Sequence, residues 1–95
     1  MPAALDSTRV TELLKTIPGW SLANGQIQRT FNFKNYYETM AFVNAVAWIA
    51  HQADHHPDLQ VGYNKCTIAY STHDVGGLSD SDFASAAKVN QLLSK

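Results

Sequence analysis

The stretch from Trp20 to Phe33 reads WSLANGQIQRTFNF, which is typical of a β-hairpin. Asn24-Gly25 at its centre accepts the positive φ angles of a type I′ turn, and the twist of that turn suits two antiparallel strands. Period-two counting along the second arm places three apolar side chains on one face: Ile27, Phe31 and Phe33. We therefore predict two antiparallel strands, 20–23 and 26–33, with that face turned toward a core.

A second hairpin is predicted further along the chain. Apolar residues alternate at Leu59, Val61 and Tyr63, as on a strand with one buried face. Cys66–Ser71 forms the returning strand after a tight turn at Asn64-Lys65.

Helices are predicted before the first hairpin and at the end of the chain. The first has two candidate N-caps, Ser7 and Thr8, and Pro18-Gly19 stops it. Its apolar residues are Val10, Leu13, Leu14 and Ile17. The last runs from a capping box of Ser79 and Asp82 to about Leu93.

A longer helix is predicted between the hairpins, from Asn35 to about Asp54. Pro57 disfavours a helical conformation at His56, so this helix ends at or just before His55. Its apolar face carries Met40, Val43, Ala47 and Ala50, widened by Phe42, Val46 and Ile49. With Trp48 included, so broad a surface indicates either self-association or a fully buried helix.

The predicted order is α-β-β-α-β-β-α, which gives an α+β fold: a four-stranded antiparallel sheet with three helices packed on one face. The 95 residues are enough for one modest core, so we expect a single domain over residues 1–95. A formal net charge of -1 gives no broad attraction to nucleic acid or to an anionic membrane. No apolar run approaches the roughly 20 residues that span a bilayer, and no signal peptide is evident. Cys66 is the single cysteine and suits a reducing compartment, so we expect a cytoplasmic location, or also a nuclear one in a eukaryote.

All four histidines lie in two short segments, HQADHHP at 51–57 and STHD at 71–74. His51 and His55 are four residues apart in the predicted helix and are expected to share a face. The returning strand brings His73 back toward the end of that helix. The two segments can therefore converge on one cleft.

Three kinds of site fit these residue types. Imidazoles can accept and donate protons near neutral pH, so two of them on opposite sides of a substrate can catalyse a dehydration. A metal site is the second, with His51, His55 and His73 as zinc ligands, although Gln52 stands where the H-E-x-x-H pattern has Glu. In the third, the histidines are structural or merely exposed. Their clustering favours acid–base chemistry, and the residues alone leave the other two open.

The spacing resembles the signature of the pterin-4a-carbinolamine dehydratases: His51-x3-His55-His56-Pro57-x5-Tyr63-x9-His73-x8-Asp82. The string Ser71-Thr72-His73-Asp74, followed by Gly77-Leu78-Ser79, fits as well. In the first half, Pro18-Gly19-Trp20 and the order of the elements also agree.

The resemblance implies a 4a-hydroxytetrahydrobiopterin dehydratase, which converts 4a-hydroxytetrahydropterin to quinonoid dihydropterin and water without a metal or organic cofactor. Aromatic amino acid hydroxylases form that substrate, so they are the implied pathway partner in tetrahydrobiopterin recycling. Matching the signature residue by residue makes His55 and His73 the acid–base pair and His56 a residue that holds the pterin. Family members are commonly dimers or dimers of dimers, which implies a homodimer or homotetramer here.

Two further residues are assigned supporting roles. Many members carry Glu where this chain has His51, so His51 either tunes His55 or is an exposed residue at the helix end. Asp74 either orients His73 or is a solvated loop carboxylate. Asp82 belongs to the pattern, but the capping box gives it a sufficient structural reason, so it is not expected to be catalytic.

The resemblance leaves two other functions open. Animal members also bind and stabilise the dimerisation segment of a homeodomain transcription factor, so the chain can be a protein-interaction module or coactivator. It can also be a dehydratase-like protein of another pterin pathway, such as that of molybdopterin. Direct binding to nucleic acid is not expected from the near-neutral charge.

Overall fold

The computed structural model describes residues 3–94 and confirms the predicted order of elements. The helices are α1 (Ser7–Leu14), α2 (Tyr36–Ala53) and α3 (Asp80–Leu92), and the strands are β1 (Ser21–Ala23), β2 (Gln26–Asn32), β3 (Asp58–Val61) and β4 (Lys65–Tyr70). A 3-10 turn, His73–Val75, lies between β4 and α3. Within residues 3–94, no helix is both long enough and apolar enough to cross a membrane.

The strands form one antiparallel sheet in the order β1-β2-β4-β3, so the two hairpins are joined through β2 and β4. Asn24 and Gly25 have φ angles of 53° and 75°, as the predicted turn requires. Ile27 of β2 lies opposite Tyr70 of β4. This register places the segment that follows β4 beside the turn of the first hairpin.

One face of the sheet is buried. Its buried side chains are Ile27, Phe31, Cys66, Ile68 and Tyr70. The three helices contribute Val10, Val46 and Val89 to the same apolar cluster. The opposite face is polar, and the hydroxyl oxygens of Thr30 and Thr67 lie 2.7 Å apart on it.

The buried face of α2 differs from the predicted one. The helix buries Thr39, Phe42, Val46 and Ala50, whereas Ala47 is exposed and Met40 is half-buried. Thr39 is accommodated because its hydroxyl lies 2.9 Å from the carbonyl oxygen of Asn35 and 3.0 Å from that of Tyr63, which satisfies a buried polar group. Trp48 is 60% exposed, so α2 is not fully buried in one copy of the chain.

The start and end of α1 also differ from the prediction. Asp6, rather than Ser7 or Thr8, is the N-cap, and its carboxylate accepts a hydrogen bond from the Arg9 amide at 2.9 Å. Ile17 is completely buried but lies beyond the end of the helix, in the turn that leads to β1.

The second hairpin turns earlier than predicted. β3 ends at Val61, and the Gly62 amide donates to the Lys65 carbonyl oxygen at 2.8 Å. Tyr63 therefore lies at the tip of the turn, where it is exposed and its ring stacks on that of Tyr36.

Candidate active site

Three segments meet where α2 ends, where β4 ends and where α3 begins. The first two line a cleft of about 300 Å³, whose lining residues are Asp54, His55, His56, Ser71, Thr72, His73 and Asp74. The predicted convergence of the two histidine segments is therefore observed for three of the four histidines.

The end of α2 determines where His55 lies. Asp54 has a φ angle of 50° and is in the left-handed region, and the His55 amide donates to the Ala50 carbonyl oxygen at 3.1 Å. The chain thus leaves the helical path before His55. The expectation that His51 and His55 share a helix face is wrong for this reason.

His55 is held by a buried carboxylate. Its Nε2 atom lies 2.6 Å from Oδ1 of Asp82, whose side chain has no exposed surface, while the side chain of His55 is 15% exposed. A hydrogen bond to an ionised group at this distance is among the stronger ones in proteins. Because Nε2 is engaged by Asp82, Nδ1 is the ring nitrogen left for a ligand.

The second oxygen of Asp82 is also fully engaged. Oδ2 accepts hydrogen bonds from the Thr72 hydroxyl at 2.8 Å and from the Ser79 amide at 3.0 Å. The hydroxyl oxygens of Thr72 and Ser79 lie 2.6 Å apart, which extends the network along the rim of the cleft. These donors satisfy a carboxylate that would otherwise be costly to bury.

Tyr70 forms the support beneath His55. The two rings are nearly parallel, with an interplanar angle of 9° and centroids 5.7 Å apart. Burial raises the pKa of Tyr70 to about 12, and the negative charge of Asp82 adds to the rise while the Ser85 side chain opposes it. The hydroxyl of Tyr70 is buried, and among residues 3–94 it has no hydrogen-bond partner that meets the usual distance and angle limits.

His73 and His56 also line the cleft, and both are exposed. His73 opens the 3-10 turn, which is closed by a hydrogen bond from the Gly76 amide to the His73 carbonyl oxygen at 3.0 Å. The Thr72 amide donates to the Gly77 carbonyl oxygen at 2.8 Å and fixes the base of this loop. Within the described part of the chain, no hydrogen bond engages either imidazole, so both are free to meet a ligand.

The two supporting residues are placed differently. Asp74 lines the cleft next to His73. His51 lies outside the cleft, exposed on α2, with its ring 5.7 Å from that of Trp48. The supporting role of each stays a prediction.

Sequence reasoning missed what Asp82 does besides capping. The capping box with Ser79 is confirmed, yet the same carboxylate binds His55. The available signal was the residue type, because a capping box ordinarily uses Glu or Gln at this position. Tyr70 was missed as well, since a buried aromatic at the end of a strand is indistinguishable from ordinary core.

Other chemistry-bearing groups lie apart from these residues. Cys66 is buried in the middle of β4, and burial raises the pKa of its thiol, which disfavours the reactive thiolate. Across residues 3–94, His, Cys, Asp and Glu side chains form no group of three or more that could hold a metal ion.

Comparison with known proteins identifies the family to which the chain belongs. The family model described as pterin 4 alpha carbinolamine dehydratase matches residues 3–92. The chain belongs to the pterin-4a-carbinolamine dehydratase family. A relative from Nitrosomonas eutropha, provisionally named as such a dehydratase, is 65% identical over 82 residues, which cover 85% of this chain and 73% of the relative. A second, from Nitrosospira multiformis and provisionally named in the same way, is 54% identical over 89 residues, which cover 94% of this chain and 79% of that protein.

Two solved structures of other proteins share the fold of this chain. One, described as a transcriptional coactivator/pterin dehydratase from Brucella melitensis, superposes with a TM-score of 0.91 at 28% identity and covers 96% of this chain and 99% of its own. The other, described as a pterin dehydratase-like protein that is a RuBisCO assembly factor in the alpha-carboxysome, has a TM-score of 0.63 at 24% identity and covers 77% of this chain and 84% of its own. At 24% identity, the similarity to the second structure supports a shared fold and nothing further.

Proposed function

We propose that this chain is a dehydratase that converts 4a-hydroxytetrahydrobiopterin to quinonoid dihydropterin and water by histidine acid–base catalysis. The proposal rests chiefly on one observation: His55, held by the buried Asp82, lines the same cleft as His73. Family membership supports the reaction class. We place the reaction in the cytoplasm, as a step of tetrahydrobiopterin recycling.

His55 acts as the base in this proposal. With Nε2 hydrogen-bonded to Asp82, the lone pair that accepts a proton is on Nδ1. The proton comes from N5–H of the substrate. The imidazolium that forms is stabilised by the carboxylate 2.6 Å away, as in other histidine–carboxylate pairs.

His73 acts as the acid. Its imidazolium gives a proton to the hydroxyl group at C4a, and the C4a–O bond breaks as water leaves. The N5 lone pair forms the N5=C4a double bond, and the electrons of the N5–H bond remain on nitrogen. His55 gains one proton and His73 loses one, so exchange with solvent resets both without a net change. Each positioned group is worth roughly 10²–10⁴-fold in rate.

His56 holds the pterin ring in this scheme, because it lines the cleft and its imidazole is exposed to it. Asp74 orients His73 from the neighbouring position. His51 keeps only the weaker supporting role that its place in the sequence suggests.

A dehydration assay tests the proposal. The substrate is generated immediately before mixing by an aromatic amino acid hydroxylase, and its decay is followed with and without EDTA. We expect acceleration over buffer that chelation does not change. Decay no faster than in buffer would refute the enzymatic function, and activity lost with EDTA would point to a metal instead.

A second candidate function is protein binding through α2. Tyr37 and Trp48 are 82% and 60% exposed, and an apolar groove beside Ala41 is closed by Leu92 and Leu93. The Brucella structure is described as a transcriptional coactivator as well as a dehydratase. We expect this face to join copies of the chain into a homodimer or homotetramer. Sedimentation of the wild type and of Trp48→Glu tests this: we expect the wild type to associate and the variant to do so less. A monomeric wild type would contradict self-association and favour a different protein as the partner of this face.

A further inference from the structure

A second cleft lies on the far side of His73. It has a volume of about 360 Å³ and lies between the turn of the first hairpin and the loop that follows β4. Ser71, Thr72 and His73 line this cleft and the candidate active site alike. A molecule held against His73 in one cleft can therefore extend into the other.

The lining of this cleft is polar and, among the described residues, includes neither Lys nor Arg. Gln26 holds its neighbours only loosely, because Nε2 lies 3.4 Å from the Ser71 hydroxyl and 3.5 Å from the Asp58 carboxylate, both at the limit of a hydrogen bond. Within the described residues its amide oxygen has no hydrogen-bond partner. Asn24 and the backbone of Gly76-Gly77 complete the polar lining. Such groups suit neutral hydroxyl groups, which donate and accept.

The covalent structure of a pterin brings its substituent to this place. In the proposed reaction N5 and C4a meet His55 and His73. C6 is bonded to N5, so a substituent on C6 begins one atom from the reacting centre, and a chain of a few atoms can reach from there past Ser71–His73, the wall that the two clefts share.

We infer that the second cleft binds the hydroxylated C6 substituent of the pterin and that Gln26 is a specificity-determining residue. This inference rests on the proposed function, because it places the pterin ring in the first cleft. Gln26 donates to one hydroxyl of the substituent through Nε2 and accepts from it through Oε1. A substituent without hydroxyl groups leaves both atoms without a partner.

Equilibrium binding of two stable product analogues tests the inference without requiring turnover. The ligands are 7,8-dihydrobiopterin, with two hydroxyl groups on the C6 substituent, and 6-methyl-7,8-dihydropterin, with none. They are titrated into the wild type, into Gln26→Leu and into Gln60→Leu. The last is a matched control, since Gln60 is an exposed glutamine on β3 that lines neither cleft.

We expect Gln26→Leu to weaken binding of the hydroxylated ligand about three- to tenfold, which is the value of one hydrogen bond, and to leave the methyl ligand unchanged. Gln60→Leu should change neither. The inference would be overturned if Gln26→Leu lost affinity equally for both ligands. It would also be overturned if the wild type bound the two ligands with equal affinity, or bound neither of them. A selective loss in a protein that fails the dehydration assay would support the subsite while refuting the proposed reaction.

Discussion

Nε2 of His55 lies 2.6 Å from Oδ1 of Asp82, and the carboxylate that makes this contact is completely buried. The same side chain caps α3, because its other oxygen accepts the Ser79 amide. One carboxylate thus ties the start of a helix to a candidate catalytic base. The position and tautomer of His55 depend on the way α3 begins.

Asp82→Asn tests this link. The amide retains an oxygen for the cap but cannot carry the charge that stabilises the His55 imidazolium. We expect kcat to fall roughly 10²-fold with little change in KM. Asp80→Asn is the matched control, since Asp80 lies in the same helical turn but is exposed. Equal losses in both variants would show that the helix, and not His55, is what the substitution disturbs.

Tyr70 makes the stability of the fold sensitive to alkaline pH. Its pKa is raised to about 12, so between pH 10 and 12 the folded protein keeps a proton that the unfolded chain releases. Unfolding is therefore favoured as pH rises through this range, by roughly 2 kcal/mol at the upper end. Below pH 10 the phenol is neutral in both the folded and the unfolded state, so it does not make the free energy of unfolding depend on pH.

Tyr70→Phe isolates this effect. It removes the titrating group and keeps the ring under His55, and the hydroxyl that is lost has no full hydrogen bond. Urea unfolding should give the variant at least the wild-type stability at pH 7 and a smaller loss between pH 10 and 12. Parallel pH profiles for the two proteins would contradict the assignment to Tyr70.

Much of the fold can be predicted from local sequence. Asn24-Gly25 specifies a turn by its own conformational preference, and Ser79 with Asp82 specifies the start of α3. Features that depend on distant contacts were not predictable. The buried face of α2 includes Thr39, whose hydroxyl is shared between the local carbonyl oxygen of Asn35 at 2.9 Å and that of Tyr63, 24 residues away, at 3.0 Å.

The candidate site divides in the same way. The two histidine segments are predicted to be able to converge because the second hairpin brings the end of its returning strand back toward the end of α2. The separation of His51 from His55 depends on the left-handed conformation of Asp54, which residue spacing does not reveal. The second role of Asp82 requires α3 to pack beside the end of α2, a long-range arrangement that no local pattern encodes.

Asn90 gives a prediction about what holds the first hairpin against α3. Its side-chain oxygen accepts from Trp20 Nε1 and from Arg29 Nη1, both at 2.8 Å, and its amide nitrogen donates to the Pro18 carbonyl oxygen at 3.1 Å. Asn90→Ala leaves Trp20 Nε1 without this acceptor, while Arg29 Nη1 keeps only the Pro18 carbonyl oxygen at 3.0 Å. We expect a loss of roughly 1–3 kcal/mol in the free energy of unfolding. Gln91→Ala, at the exposed neighbouring position, should change it by less than about 0.5 kcal/mol; comparable losses would contradict the account.

The charge around the two clefts predicts which pterins are rejected. Asp54 and Asp74 line the first cleft, and no Lys or Arg is among the described residues that line either. A phosphorylated C6 substituent would meet these two carboxylates with no Lys or Arg to balance them, and the single charge of a His73 imidazolium does not offset both. We expect 7,8-dihydroneopterin monophosphate to bind at least tenfold more weakly than 7,8-dihydroneopterin in isothermal titration. Tighter binding of the phosphorylated ligand would favour a different pterin pathway.

The dehydration rates of His55→Ala and His73→Ala test the central claim most directly, with Gln52→Ala as a control on the exposed face of α2. Each histidine variant should lose roughly 10²-fold or more of the wild-type acceleration. Adding the second substitution should cost little further, because the reaction needs both proton transfers and the two residues act as a unit. The control should keep the wild-type rate. If both histidine variants dehydrate the substrate as fast as the wild type, the acid–base pair proposed for this cleft is wrong.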